Sequence, residues 1–437
     1  MRPSLRESIT MPAMLLPVAA LLLSDAFLLV GHGLSFTALP LRAVAEGFSD
    51  GAIAITGSAY FLGFIAGCLI TPRVVRRVGH IRSFAVLSSA FSALVLLFPM
   101  VPEVISWTLL RAATGACMSG LYMIIESWLN ERASSDGRGA LLSIYTIINL
   151  VMIILGQQAV NLAPAQDPML FAGAAVLLSL AVIPVSLSGA TAPAPIADVQ
   201  LDLRALWHIS PVGLGGAAML GLITGSFWAL GPVYGRTLSL DTQAVTWLIS
   251  GATLGAAIFQ YPLGRLSDHL DRRLVLLFSS LAGAGVAFSL ALFSAAPAGV
   301  LIALATLWGG FVLTLYAICS AHANDRAEPS QFVMIGTSLL LTYGATSAVG
   351  APLAALAMQR LGPSGLWWFI GTMLAVFALG IAQQRRQKPR PVLEETEHFV
   401  LSASLTPAGL ELDPRAEDVE VSVSAEPSPL GLEPGKA

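Results

Sequence analysis

The sequence predicts an all-α integral membrane protein, with twelve transmembrane helices in two pseudo-symmetric six-helix bundles. Three observations predict it. The 437 residues are 55% hydrophobic and only 11% charged, where a soluble protein carries about 25% charged residues. Long apolar runs follow one another from Pro12 to Gln383, each near the ~20 residues a helix needs to cross a bilayer. The second half then repeats the punctuation of the first. Ser35-Phe36-Thr37-Ala38-Leu39-Pro40 closes the first run and Ser226-Phe227-Trp228-Ala229-Leu230-Gly231-Pro232 closes the seventh. Pro72–Arg82 separates runs two and three, and Gly264–Arg273 separates runs eight and nine. Leu121-Tyr122…Asn130-Glu131-Arg132-Ala133 matches Leu315-Tyr316…Asn324-Asp325-Arg326-Ala327 at one offset. Matches that recur in the same order are the mark of an internal repeat.

Taken in order, the runs place spans at 12–39, 52–71, 83–101, 105–129, 139–162, 168–188, 211–235, 243–263, 274–295, 299–322, 333–358 and 366–384. The start, Met1 to Glu7, is weakly basic. The run after it is too long for a signal peptide, so an uncleaved first helix starting in the cytoplasm is expected. Residues 1–190 form the first bundle and 191–210 a cytoplasmic linker, in which Leu201–Ile209 suits a short helix on the membrane surface. Residues 211–384 form the second bundle. Residues 385–437, basic at first and then rich in Pro, Ser and Glu, lack the apolar content for a core and are expected to be a disordered cytoplasmic tail.

Arginine placement fixes the orientation. The loops expected inside hold Arg73, Arg76, Arg77, Arg82, Arg132, Arg138, Arg204, Arg265, Arg272, Arg273 and Arg326; those outside hold only Arg42, Arg236 and Arg360. Both termini are therefore expected in the cytoplasm of a plasma membrane, a bacterial inner membrane, with the lipid bilayer as the protein's main partner. The formal net charge of −3 comes with no basic surface, which points away from nucleic acid. Cys68, Cys117 and Cys319 lie apart inside apolar runs and read as packing residues. No P-loop, catalytic triad or metal-ligand spacing appears, so no enzyme activity, cofactor or metal is expected.

Two motifs carry a resemblance. Gly264-Arg265-Leu266-Ser267-Asp268-His269-Leu270-Asp271-Arg272-Arg273 reads as a tight turn at a membrane surface, with Asp268 as a helix cap and acceptor for guanidinium groups. It resembles the loop signature of the major facilitator superfamily. Arg111-Ala112-Ala113-Thr114-Gly115-Ala116-Cys117-Met118-Ser119-Gly120 resembles the same superfamily's fourth-helix motif, in which small residues allow close packing. The first-half loop departs from the signature, with Pro72 in place of the Gly and Arg76 in place of the Asp. The fifth run, with Leu155-Gly156-Gln157-Gln158, lacks the Gly-Pro motif of drug antiporters. Together with Glu126-Ser127-Trp128-Leu129-Asn130-Glu131, these motifs are similar to the YcaD-type branch of the superfamily over residues 12–384. The resemblance implies a secondary transporter whose halves rock about a midplane site.

Candidate chemistry starts at Asp25, near the middle of run one, because an ionisable residue at membrane depth is a functional hypothesis by default. His32 lies two turns on, on about the same face, ~10 Å along the axis. Arg111 falls at about the depth of His32, so Asp25, His32 and Arg111 can cluster if runs one and four are neighbours. A carboxylate in such a cluster suits proton coupling; the competing readings are a fixed Asp25–Arg111 pair and an Arg111 that reaches the outer surface. Glu126 has no acidic counterpart in the repeat, since it aligns with Ser320, and is a further coupling candidate; its plainer reading is a pair with Arg76 or Arg77. Glu131 and Asp325 are symmetric and are expected to hold the neighbouring cytoplasmic arginines as a gate latch; Gly264, Asp268, Arg272 and Arg273 belong to the same gating motif. Asn149, Gln157, Gln158, Trp228, Tyr234, Gln260, Tyr316 and Tyr343 can line a cavity between the halves, or serve as helix contacts and interface anchors. The reading is a monomeric, proton-coupled carrier of a small solute; the rival is a membrane sensor or scaffold that keeps the fold without transport.

Overall fold

The computed structural model describes residues 18–132, 138–187, 201–328 and 331–387. Twelve helices are long and apolar enough to cross a membrane: Ala19–Ala45, Asp50–Val78, His80–Met100, Val104–Arg132, Leu141–Leu162, Pro168–Leu187, Pro211–Thr237, Thr242–His269, Arg272–Leu292, Ala298–Asn324, Phe332–Leu361 and Gly365–Arg386. These are the first to twelfth spans below. The expected helix near 201–209 is present as Leu203–Ile209, capped by Asp202, with Leu206 buried and Trp207 exposed. The expectations for the N-terminal residues, for Arg138 and for the tail beyond residue 387 fall outside the described side chains.

The repeat seen in the sequence recurs in the packing. The second span runs along the fourth, the first along the fifth and the third against the sixth; in the second half the eighth pairs with the tenth, the seventh with the eleventh and the ninth with the twelfth. In a bilayer, lipid tails are as apolar as leucine, so helices associate through close packing rather than hydrophobic exclusion. The second–fourth pair shows how: a Cβ built on Gly63 would strike the carbonyl of Ala112, and one on Gly115 would strike the carbonyl of Tyr60. The two glycines let the backbones touch where Arg111 enters the bundle. Large apolar side chains such as Leu62, Val86, Leu109, Phe278 and Leu379 point outward, as lipid contact requires.

Helix ends follow capping chemistry. Ser49 accepts from Ala52 N at 3.3 Å to start the second span, and Asp241 accepts from Ala244 N at 2.7 Å at the matching start of the eighth. Gly79, at φ 85°, breaks the chain between the second and third spans, a conformation that costs glycine little.

Proline placement corrects two expectations. Pro40 and Pro232 do not end their helices, which run on to Ala45 and Thr237. A proline removes one backbone bond, and neighbouring helices can absorb the loss inside a bundle. The first span therefore lies further along the chain than 12–39. Asp25 is the seventh residue of Ala19–Ala45 instead of its midpoint. The supposed turn Gly264–Arg273 likewise shrinks to Leu270 and Asp271, since helix continues to His269. Asp271, not Asp268, caps the next helix, accepting from Arg273 N at 2.9 Å.

The central linker joins the end of the sixth span to the start of the seventh, which defines a linker end and a far end of the molecule. The halves meet through the second and eleventh spans, the fifth and eighth, and the seventh against the first and second. The contacts that can be named run from midspan to the far end. Ile65 lies against Gly344 near midspan, and Gly57 against Ala229 beyond it. At the far end Gly51 approaches Gln359, Asn161 Nδ2 donates to Thr246 Oγ1 at 2.9 Å, and Gln158 Nε2 donates to Ser250 Oγ.

Candidate functional site

The expected Asp25–His32–Arg111 cluster separates into two sites, because Asp25 lies nearer the linker end than the run lengths suggest. At ~1.5 Å per residue, His32 and Arg111 lie roughly 10–20 Å below the far end. Asp25 lies about 30 Å below it, level with Glu126.

The upper site is an aromatic cage around a cation. Arg111 is 6% exposed, so it does not reach the surface. Its guanidinium carbon sits 4.6 Å from the ring centroid of Phe36 and 4.7 Å from that of Tyr60. His32 stacks on Tyr60 at 5.9 Å and meets Phe36 at 5.1 Å and Phe91 at 6.0 Å. A small cavity lined by His32, Ser35, Tyr60, Arg111 and Thr114 among others has room for about one water molecule. Phe36 touches Trp228 of the second half, with centroids 6.4 Å apart, so the cage abuts the seam between the halves. Phe36 and Tyr60 were not among the sequence candidates. Their signal was faint, since an aromatic residue in a span is more often packing than site.

The lower site is a pair of buried carboxyl groups. Asp25 is fully buried, and neither of its side-chain oxygens has a hydrogen-bond partner among the described residues. Glu126 of the fourth span lies at the same depth. Glu126 is also fully buried and accepts from Tyr145 Oη at 3.4 Å. Tyr122 and Tyr145 are both buried. One turn from Tyr145, the side chain of Asn149 is buried. The two tyrosines are the residues a sequence reader would add here, as phenols placed in spans beside acids.

At the linker end the gate residues gather around one guanidinium. Arg272 donates from Nε to Asp325 Oδ2 at 2.5 Å and from Nη2 to Asp325 Oδ1 at 3.2 Å. Its Nη1 donates to Ser267 Oγ at 3.1 Å and Asp268 Oδ1 at 3.3 Å. Arg273 pairs with Asp271 at 3.3 Å, and Gly264 is buried in the last turns of the eighth span. Arg326 donates to His322 Nδ1 at 2.9 Å. The expected counterpart Glu131 is exposed and has no ion pair among the described residues. Among the described residues, the ion pairs named at this end lie in the second half.

The cavity candidates part company. Trp228, Tyr316 and Tyr343 are half-buried, and Tyr343 stacks edge-on against Tyr316 at 5.1 Å and lies 2.6 Å from Thr224 Oγ1. Gln157 is buried with Oε1 unbonded, and Gln260 is half-buried. Tyr234 is a correction: it is fully buried, donates to Leu290 O at 3.2 Å and packs on Trp367 at 5.8 Å, inside the core of the second half.

This architecture, two repeated six-helix bundles meeting along a polar seam, defines a membrane transporter fold. The sequence model of the Major Facilitator Superfamily matches residues 213–416. The Escherichia coli protein described as the uncharacterized MFS-type transporter YcaD is 27% identical over 394 residues, covering 88% of this chain and 98% of its own. Among solved structures, the nucleoside transporter NupG superposes with TM-score 0.71 at 13% identity, over 84% of this chain and 99% of its own. A D-xylose–proton symporter superposes with TM-score 0.62 at 14% identity, over 83% and 96%. The chain is thus similar to the major facilitator superfamily in the sequence of its second half, and over most of its length to a relative described as an MFS-type transporter.

Proposed function

We propose that the chain is a proton-coupled carrier of a small solute that works by alternating access, with Asp25 carrying the proton and Glu126 sharing its site. The observation that carries this reading is the full burial of two carboxyl groups at one depth of the same bundle, Asp25 and Glu126, with Glu126 accepting from Tyr145. An intramembrane acid of this kind is expensive to keep and usually marks an ion or proton path. Proton coupling is the named property of the xylose symporter, and here it rests on Asp25 and Glu126. Both termini are placed in the cytoplasm of a bacterial inner membrane on the arginine bias. The protein is taken as a monomer of two bundles, residues 1–190 and 211–384, whose rocking moves the solute past the seam.

The test has two stages. Infrared difference spectra of the purified protein across a pH titration should contain a carboxyl C=O band that Asp25→Asn removes. A thermal-shift screen of metabolites then supplies the solute, because a ligand that binds only the folded state raises its stability. In proteoliposomes an imposed pH gradient should drive its accumulation by the wild type and not by Asp25→Asn, while energy-independent exchange survives. Undiminished gradient-driven accumulation by Asp25→Asn would remove Asp25 from the mechanism. No flux of any bound solute would favour the sensor.

A further inference from the structure

The aromatic cage holds a cation that the protein leaves uncompensated. Among the described residues Arg111 has no carboxylate partner and no side-chain hydrogen bond; its contacts are the faces of Phe36 and Tyr60. Cation–π contacts contribute about 0.5–2 kcal/mol each, whereas burying an unpaired ion costs several kcal/mol. Two aromatic faces do not close that gap, and five N–H donors remain to be satisfied. The pocket beside the guanidinium is polar on the same side. The hydroxyls of Ser35 and Thr114 already donate to His32 O at 3.1 Å and Arg111 O at 3.0 Å. That leaves the guanidinium, the His32 ring with its buried, unbonded Nδ1, and the Tyr60 hydroxyl to meet a ligand.

We propose that this pocket, which has room for about one water molecule while Phe36 and Trp228 touch, widens as the halves part there and docks the carboxylate of the transported solute, a small organic acid whose apolar body lies toward those two rings. The planar guanidinium matches a carboxylate in two-point contact. A phosphate, larger and carrying more charge, asks for more donors than one guanidinium and one imidazole supply. The placement also suits movement, since the solute's charge is held by the first half and its body reaches Trp228 of the second. The inference rests on the transport reading, but not on Asp25 or on protons.

Equilibrium binding tests it without any gradient, so its failure and that of proton coupling are separable. The full-length protein in detergent is melted at constant ionic strength with sodium benzoate and sodium phenylacetate, against benzamide, phenylacetamide, sodium phosphate and sodium chloride. The carboxylates should raise the melting temperature and the amides should not. Arg111→Gln should abolish the response, and Arg111→Lys, which keeps the charge but loses the fork, should weaken affinity about tenfold. Arg236→Gln, an exposed arginine at the far end that contacts Leu240 O, should respond like the wild type. If Arg111→Gln does not fold, Arg111→Lys carries the comparison. No carboxylate response in the wild type, an equal response in the Arg111 variants, or a phosphate response exceeding that of the carboxylates would each overturn the assignment.

Discussion

Arg272 shows what a single side chain does at the linker end. Its side chain is 2% exposed and is met by Asp325 from the tenth span, by Asp268 and by Ser267. Removing one charge of a buried pair leaves the other uncompensated. Here Asp268 and Ser267 still hold the guanidinium, so Asp325→Asn should cost about 1–3 kcal/mol and lower the thermal midpoint in detergent. Asp268→Asn weakens the 3.3 Å contact that Asp268, in the last turn of the eighth span, makes with Arg272. It should leave expression and the midpoint nearly intact while slowing transport, because that contact helps hold one conformational state. Equal midpoints for Asp325→Asn and wild type would mean that Arg272 depends on the eighth-span groups alone; wild-type flux in Asp268→Asn vesicles would take that residue out of the gate. This part of the molecule was legible in the sequence, because Arg272, Asp268 and Asp325 stand in a patterned motif and its repeat. Asp25 was legible as an important residue and misplaced in depth. The error came from reading Pro40 as a stop, when a proline inside a bundle removes one bond and lets the helix continue.

Elements pair here by backbone contact, and the sequence signals it through small residues. The spacing Arg111, Gly115, Ser119 announced a close partner for the fourth span without naming it. The structure supplies the second span, with Gly63 against the Ala112 carbonyl. Gly63→Leu should push these helices apart at the site where Arg111 is caged. Overpacking costs about 1–3 kcal/mol and at times more, and a backbone obstacle cannot rotate away. The expectation is a strongly lowered midpoint or aggregated material on size exclusion. Gly285→Leu is the control: a Cβ there meets nothing within 4 Å, and helix propensity favours leucine over glycine by roughly 0.6–1 kcal/mol. A Gly63→Leu protein as stable as Gly285→Leu would show that the second and fourth spans can slide. The cage itself was not legible, since Phe36, Tyr60, Phe91 and Arg111 come from four different spans and only packing brings them together.

At the scale of the whole molecule, the repeat was the most legible feature, because matched motifs require matched helices. Orientation was read from the arginine bias; conformational state was not legible, since it needs contacts between distant segments. Orientation has a direct check. In a background free of Cys68, Cys117 and Cys319, Ser404→Cys should react with an impermeant thiol reagent only after cells are opened; labelling of intact cells would reverse the assignment of the tail.

The conformational state can be tested at the seam. The named contacts between the halves run from Ile65–Gly344 at midspan to Gly51–Gln359, Gln158–Ser250 and Asn161–Thr246 at the far end. These contacts join the halves from midspan to the far end. If the halves rock about a central site, the Asn161–Thr246 contact must open once in every cycle. Cysteines at these two positions replace side chains now in hydrogen-bond contact at 2.9 Å. In the same cysteine-free background, Asn161→Cys with Thr246→Cys should therefore cross-link under mild oxidation. Cross-linked protein should lose transport, reduction should restore it, and each single variant should transport in oxidant as in reductant. Solute binding from the linker side should persist while the bridge is closed, because the far end does not need to open for the site to fill from the other end. Transport that continues at the wild-type rate through a fully formed bridge would show that these ends never separate, and that the molecule works by some motion other than rocking of its two halves.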